Sequence, residues 1–301
     1  MTAQGIPAEY QQFVQPGKDW RQIVALVEEL PPMPHVATKL LGMIDRPETT
    51  TPDLEKVMST DPALAALVLK IANSALFARQ RQITTLTQAV TLIGFKTLKG
   101  VITAAALKKF QRNMSEANKM IWYNSVGTAI SAVNIATKLR KNYRDEIFLL
   151  GLLSNLGQLA MFDQISDEYN KVLDLIEKEG LEYAPAEFKL FGYTHPLVGA
   201  LVAKKWNFSE ESCQVILHCK DLLAGPKPKT VVDEMIALVQ VAHLTTIKAG
   251  IGVFGGYPDV SPRLQQAALY LGFLPDNLDE TIEELTVQCT ERFAEERSIY
   301  E

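Results

Sequence analysis

The sequence is poor in cysteine and has no uninterrupted membrane-length apolar run. Its 301 residues contain three cysteines, an odd number, and none of them forms a C-x-x-C pair. This usage fits a reduced protein, so we expect a cytoplasmic location. No run approaches the roughly 18 apolar residues that a membrane span needs. The first residues also lack the basic and then apolar pattern of a signal peptide, so we expect no membrane association.

Positive charge is also in short supply. The chain has 30 Lys and Arg against 35 Asp and Glu, which gives a net charge of −5 at pH 7. This balance argues against a nucleic-acid partner, because phosphate backbones are bound through an excess of cations. The rest of the composition, 47% hydrophobic and 22% charged, is ordinary for a globular protein with room for one large domain or two lobes.

Helical periodicity dominates what is present. The Asp-Pro pair at 61–62 is a helix start signal, and the apolar residues after it follow i, i+3, i+4 spacing. A long helix is predicted from Ser115 to about Arg140, whereas 82–87, with an Ile and three Thr, could be extended. The pattern predicts an all-α protein of two packed helical lobes, with the polar break at 111–115 as the seam between them.

A polar pair interrupts the apolar segment at 146–159. Ser154 and Asn155 stand among Ile, Leu and Phe, just before Gly157. Such a pair either faces solvent at a bend or lines an interior cleft. The frame resembles the GLLHDIG motif of HD-superfamily metal phosphohydrolases, whose adjacent His and Asp bind metal. Ser and Asn occupy those two places here.

The other metal-ligand places of that superfamily are also changed. Asn124 stands where the W-x-H-S pattern has its histidine, and His243 stands where a V-x-x-A-D pattern has its aspartate. With Ser154 and Asn155, the four places read Asn, Ser, Asn and His. Neutral amides and a hydroxyl bind first-row cations poorly compared with imidazole and carboxylate. The resemblance therefore implies no metal-assisted phosphoester hydrolysis and no metal cofactor.

The histidines keep one enzymatic alternative open. His195, His218 and His243 fall on three separate predicted helices of the second lobe, and three histidines can hold one zinc or iron ion. The alternative is then a metal-dependent phosphohydrolase of unusual ligand set. Each histidine could instead be an ordinary residue at a helix end or beside the core, with one hydrogen bond. None has metal-ligand spacing by itself.

Two further motif matches lack the context that their chemistry requires. The segment GIGVFG at 250–255 fits G-x-G-x-x-G, but a predicted helix precedes it and Gly-Tyr-Pro follows it. A dinucleotide fold needs a strand before this motif and a helix after it, so a helix end and a loop are predicted. Ser154 has no G-x-S-x-G elbow and no histidine near it in sequence to act as its base.

Several motifs stand in a fixed order along the chain. They are LPPMP at 30–34, DPAL at 61–64, IANSA at 71–75, QAV-x-LIGF at 88–95, and E-x-x-x-F-G-x-T-H-x-x-V-G-A at 187–200 followed by Trp206. Together they closely resemble the HDOD domain, the HD-related output domain of bacterial signalling proteins. The resemblance covers about residues 23–220 and implies an all-helical, non-catalytic output or scaffold module.

This resemblance sets the expected organisation and function. Residues 1–22 form an N-terminal extension, and the HDOD domain follows, with a helical lobe to about 112 and an HD-like lobe from about 115. Residues 221–301 add helices that complete the HD-like lobe. We expect a signalling module that acts by binding a protein partner and receives its input in trans. A nucleotide sensor without catalysis is the other alternative, its cleft lined by Asn124, Ser154, Asn155, His195, His218 and His243.

Overall fold

The computed structural model describes residues 7–74, 82–109, 115–223 and 225–300. Within these ranges every regular element is a helix and no strand is present, which confirms the all-α prediction. The suggestion of an extended segment at 82–87 is wrong. Residues 82–85 have no regular structure, and a helix begins at Leu86. Asn73 holds this stretch, because its amide donates to the carbonyl of Ile83 at 2.8 Å and accepts from the Ile83 N–H at 2.8 Å.

Among the described residues, six helices precede the predicted seam at 111–115, of which 111–114 lie outside the described residues. The predicted start at 61–62 is confirmed, because the Asp61 carboxylate accepts from the Leu64 N–H at 3.1 Å and Pro62 opens the helix. The first two helices have no counterpart among the sequence predictions. The bounds are α1 Ala8–Gln11, α2 Arg21–Glu29, α3 His35–Ile44, α4 Thr51–Met58, α5 Pro62–Ala72 and α6 Leu86–Lys109.

Helix α6 is long and apolar. Its segment Leu86–Leu107 has the length and composition of a membrane span, and it is the one such helix in the described part of the chain. Gly94 interrupts it with φ 77° and ψ 164°, a backbone conformation that favours glycine. Most of the segment is buried, 61% of the apolar window, so packing inside the fold accounts for its apolar character.

The helices after the seam form the second lobe. Ser115 caps the first of them as predicted, its hydroxyl accepting from the Asn118 N–H at 3.2 Å. The helix that follows Asn155 is a separate element, which the apolar segment at 146–159 did not predict. The bounds are α7 Glu116–Lys138, α8 Arg144–Leu153, α9 Leu156–Gln164, α10 Ser166–Glu179, α11 Tyr183–Phe191, α12 His195–Lys205, α13 Glu210–His218, α14 Val231–Lys248, α15 Ser261–Leu271 and α16 Leu278–Tyr300.

The two lobes share one hydrophobic core. It runs from the first six helices into α7–α13, while a second core lies between α7, α8 and the last three helices. Helix α7 belongs to both and packs against α8, α14 and α16. The three cysteines are free and buried within this packing, as expected for small apolar residues.

The N-terminal segment lies on the second lobe. The Gln15 N–H donates to the Gly192 carbonyl at 2.7 Å. Lys205 closes the end of α2, because its Nζ donates to the carbonyls of Val27, Glu28 and Leu30 at 2.8, 3.1 and 3.0 Å. A cation at this end also complements the helix dipole. Residues on both sides of the predicted boundary at 22–23 thus attach to the second lobe.

Candidate functional site

Five polar residues of the second lobe occupy places that the sequence singled out, and all are buried. They stand on α7, at the break between α8 and α9, at the start of α12, and in the middle of α14. They are Asn124, Ser154, Asn155, His195 and His243. A solvent-facing bend is therefore excluded for Ser154 and Asn155, which lie in the interior.

Asn124 and Asn155 bind each other. The Asn155 Nδ2 donates to Asn124 Oδ1 at 2.9 Å and lies 3.3 Å from the Ser125 hydroxyl oxygen. The Asn124 Nδ2 donates in turn to the Ile251 carbonyl at 3.0 Å. Both oxygen and nitrogen of Asn124 are thereby occupied. The Asn155 Oδ1 is buried and has no hydrogen-bond partner among the described residues.

The Ser154 side chain bonds to the end of its own helix. Its hydroxyl donates to the Gly151 carbonyl at 2.7 Å, which satisfies one of the last carbonyls of α8. This bond is a helix-end contact, and it supplies no base that could activate the hydroxyl as a nucleophile.

Two glycines allow the helices around the site to approach closely. A Cβ on Gly157 would lie 1.9 Å from the His195 carbonyl oxygen, so α9 and α12 meet backbone to backbone. A Cβ on Gly252, whose φ is +64°, would lie 2.0 Å from the Met120 carbonyl oxygen. The segment GIGVFG is thus a turn after α14 that packs on α7, which confirms the predicted helix end and loop.

Glu187 organises the start of α12. Its Oε2 accepts from the His195 backbone N–H at 2.7 Å and lies 2.8 Å from His195 Nδ1, while its Oε1 accepts from the Tyr169 hydroxyl. A carboxylate oxygen at this distance places the ring proton on Nδ1, so Nε2 of the neutral ring carries the lone pair. His195 Nε2 is buried and has no partner within the described residues.

Lys220 and His243 are electrostatic neighbours of His195. The Gln240 Nε2 donates to the Asp221 carbonyl at 2.6 Å, and His243 follows Gln240 by about one turn on α14, which brings its position near the end of α13. Lys220 Nζ and His243 Nδ1 are buried, and neither has a hydrogen-bond partner in the part of the chain that the structure describes.

Burial perturbs these three groups. It lowers the pKa of His195 below its ordinary value, although Glu187 opposes the shift. It lowers the pKa of His243 much further, and the charges of Lys220, His195 and Arg263 add to the effect. Burial also lowers the pKa of Lys220 to about 8. Near pH 7 both imidazoles are therefore neutral and the ammonium remains mostly charged.

The three-histidine metal site is wrong. His218 lies at the surface end of α13, where its Nδ1 is 2.7 Å from an Asp221 carboxylate oxygen and its ring meets Phe13 edge-on at 5.5 Å. Across residues 7–74, 82–109, 115–223 and 225–300, no three His, Cys, Asp or Glu side chains are grouped to hold a metal ion. His195 and His243 are electrostatic neighbours, but His218 does not join them.

The residues in the HD ligand places do not fit a divalent metal. Asn124 and Asn155 already satisfy each other, and Ser154 is committed to a backbone carbonyl. The nearby ammonium of Lys220 would repel a cation at His243. The amide donor set also supplies no negative charge to offset that repulsion.

Sequence reasoning missed Glu187, Tyr169 and Lys220 as parts of this site. Glu187 did carry a signal, since it is the lone acid in the segment YAPAEFKLF and opens the motif that ends at His195. Tyr169 and Lys220 had none, because neither belongs to a motif that the sequence singled out. Only the folded chain shows that they converge.

We expect stability to fall as the pH drops below about 6.5. The unfolded chain takes up protons on both histidines near their ordinary pKa of 6.5, whereas folded His195 and His243 resist protonation. The stabilising contribution is therefore complete above 6.5 and is lost as the pH decreases, by up to about 1.4 kcal/mol per pH unit for each group. Urea unfolding between pH 7 and 5.5 measures this slope. A His243→Leu variant should show a shallower one, and a flat wild-type profile would contradict the prediction.

Comparison with known proteins agrees with this architecture. The family profile described as HDOD domain matches residues 30–222. An uncharacterised protein of Treponema pallidum (strain Nichols) is 20% identical over 220 residues, which are 73% of this chain and 42% of that protein. The chain thus spans less than half the length of this relative.

Solved structures show the same fold. An HDOD domain protein of unknown function from Geobacter sulfurreducens superposes with a TM-score of 0.69 at 24% identity, covering 91% of this chain and 99% of that one. A Shewanella amazonensis SB2B protein, named provisionally as a phosphohydrolase, gives 0.67 at 22% identity over 91% and 97%. A Marinobacter aquaeolei VT8 protein, named provisionally for signal transduction, gives 0.65 at 19% identity over 93% and 65%. The predicted helical, HD-like architecture is confirmed.

Proposed function

This chain belongs to the HDOD domain family, and from that membership we propose that it is a non-catalytic signal-transduction module that acts by binding a protein partner. The carrying observation is the buried amide pair of Asn124 and Asn155, bonded at 2.9 Å where HD enzymes place metal ligands. An interior hydrogen bond of this kind holds α7 against the α8–α9 break, so the place of the HD metal site serves here as a structural link.

The non-catalytic part of the proposal is tested by metal content and turnover. Protein purified without chelator should hold less than about a tenth of an equivalent of any transition metal, because metal-assisted hydrolysis requires a bound ion. With added Mn²⁺ it should not hydrolyse bis(p-nitrophenyl) phosphate or nucleoside monophosphates. About one equivalent of metal that disappears in His195→Ala or His243→Ala, together with turnover, would overturn this part.

The binding part is tested by chemical cross-linking in cells of the source organism, followed by mass spectrometry. We expect a reproducible cross-link to one signalling protein, which then binds the purified chain with a measurable Kd. Recovery of general chaperones alone, with no partner that rebinds in purified form, would contradict a protein-binding role.

Nucleotide sensing without catalysis is a second candidate. The favouring observation is a set of buried polar atoms that no described residue satisfies, Asn155 Oδ1, His195 Nε2 and His243 Nδ1 among them. Buried polar groups normally have partners, and a ligand could supply them here. Protein binding and ligand binding are compatible, since a ligand in the second lobe can bias a surface that a partner reads.

A further inference from the structure

Lys220 is a charged residue of the second lobe whose buried Nζ has no hydrogen-bond partner among the described residues. A buried ammonium without a counterion is costly, so proteins usually pair it or deprotonate it. The pKa of about 8 keeps most of the charge near pH 7. The charge therefore persists without a donated hydrogen bond.

The neighbouring acids are already committed. Glu187 accepts from Tyr169 and from both N–H groups of His195. Glu182 accepts from the Arg263 guanidinium, whose second nitrogen donates to the Lys220 carbonyl at 3.0 Å. Both acids act on Lys220 through space, but neither binds its Nζ. No described acid therefore pairs directly with this ammonium, and an anion from outside the described chain could supply its partner.

His195 restricts which kinds of anion could bind beside Lys220. Because Glu187 fixes the proton on Nδ1, the buried Nε2 presents a lone pair and needs a donor. The ligand must then carry negative oxygens for Lys220 and an O–H group for His195. A phosphate or phosphomonoester in its monoanionic form has both. Sulfate and carboxylate ions have no such proton near neutral pH.

We infer that Lys220, His195 and His243 form a binding site for a phosphate group, either inorganic phosphate or the phosphate of a nucleoside monophosphate. The assignment names the ligand of the sensing candidate above and rests on it. His243 Nδ1 completes the set, because a neutral imidazole nitrogen can donate to or accept from a phosphate oxygen. The Lys220 side chain is only half-buried, although its Nζ is covered.

The test is thermal unfolding of the full chain at about pH 7 and constant ionic strength, with inorganic phosphate, sulfate, chloride, adenosine monophosphate or adenosine. We expect saturating phosphate to raise Tm by about 5 °C over chloride, and sulfate to raise it much less. Equal shifts with phosphate and the monophosphate indicate the free ion, and a larger shift with the monophosphate indicates the nucleotide. Calorimetry of the better ligand then gives its Kd.

Lys220→Met is the deciding variant. Without ligand it should be at least as stable as the wild type, because an unpaired buried charge is removed. Its affinity for phosphate should fall at least about tenfold. Lys227→Met, at an exposed position in the following loop, is the matched control and should bind as the wild type does.

Three results would overturn the assignment. They are no shift with phosphate or the monophosphate, equal shifts with phosphate and sulfate, or an undiminished shift in Lys220→Met. None of these depends on turnover or on a protein partner. Failure of the phosphate site is therefore distinguishable from failure of the non-catalytic, partner-binding function.

Discussion

Gly157→Ala is expected to lower the free energy of unfolding by about 3 kcal/mol or more. The added Cβ would lie 1.9 Å from the His195 carbonyl oxygen and 2.6 Å from the Gly199 nitrogen. Both neighbours are backbone atoms, so no side chain can turn away to make room. Helices α9 and α12 would have to separate, and the interior packing between them would be lost. Urea unfolding followed by circular dichroism measures the change.

Gly42→Ala is the matched control for this substitution. Gly42 lies within α3, and a Cβ there would meet nothing within 4 Å. Alanine is the better helix former by about 0.5–1 kcal/mol, so this variant should gain slightly in stability. The two glycine substitutions are thus expected to have opposite signs. A Gly157→Ala loss below about 1 kcal/mol would show that α9 and α12 are less tightly joined than their backbone distances indicate.

The position of Gly157 shows what the sequence could and could not predict. The apolar segment around Ser154 and Asn155 left two alternatives, a solvent-facing bend or an interior cleft, and the burial of both residues excludes the first. The helix that starts just after them was missed, because residues 146–159 read as one apolar run without a turn signal. The chain breaks there through a change of backbone direction at Asn155, with φ −114° and ψ 17°, which no residue type in the segment announces.

Helix ends were predictable where local chemistry determines them. Asp61 and Ser115 cap their helices through their own side chains, so the signal lies within four residues of the boundary. Helix α2 is different, since it ends at a bare Leu-Pro sequence and its last carbonyls are satisfied by Lys205, far along the chain. Because the residue that binds these carbonyls is distant in the sequence, no local pattern predicts where α2 ends.

The residues of the candidate site were likewise only partly predictable from the sequence. Motif comparison pointed to Asn124, Asn155, His195 and His243, and the structure buries all four in the second lobe. The failed prediction, His218, shared with His195 only its residue type and its lobe. It sits at the exposed end of α13, beside Asp221. Distances between helices, which decide whether side chains converge, depend on packing that periodicity does not encode.

Glu187→Ala is expected to cost about 3–5 kcal/mol of unfolding free energy. The carboxylate is fully buried and accepts from the Tyr169 hydroxyl, the His195 backbone N–H and His195 Nδ1. Removing it leaves three donors in a dry interior, each with a desolvation penalty of about 1–3 kcal/mol. The first N–H of α12 also loses the anion that complements the helix dipole.

Glu187→Gln separates the charge from the volume. The amide keeps the size of the side chain, but only its single oxygen can accept hydrogen bonds, so its nitrogen must face a donor. We therefore expect Glu187→Gln to lower the free energy of unfolding, but by less than Glu187→Ala does. The ¹⁵N spectrum of His195 should also change, because the carboxylate no longer holds the ring proton on Nδ1. A variant that loses stability but keeps the wild-type tautomer would mean that Glu187 is a packing residue.

Glu179→Ala is the matched control for both substitutions. Glu179 forms a salt bridge with Lys189 at 2.7 Å, but both side chains are about half exposed. Surface pairs of this kind contribute up to about 1 kcal/mol, so Glu179→Ala should change stability little and leave the His195 spectrum unaltered. If Glu187→Ala cost no more than this control, the three bonds to its carboxylate would not hold α12. The orientation of His195, on which the phosphate site depends, would then need another cause.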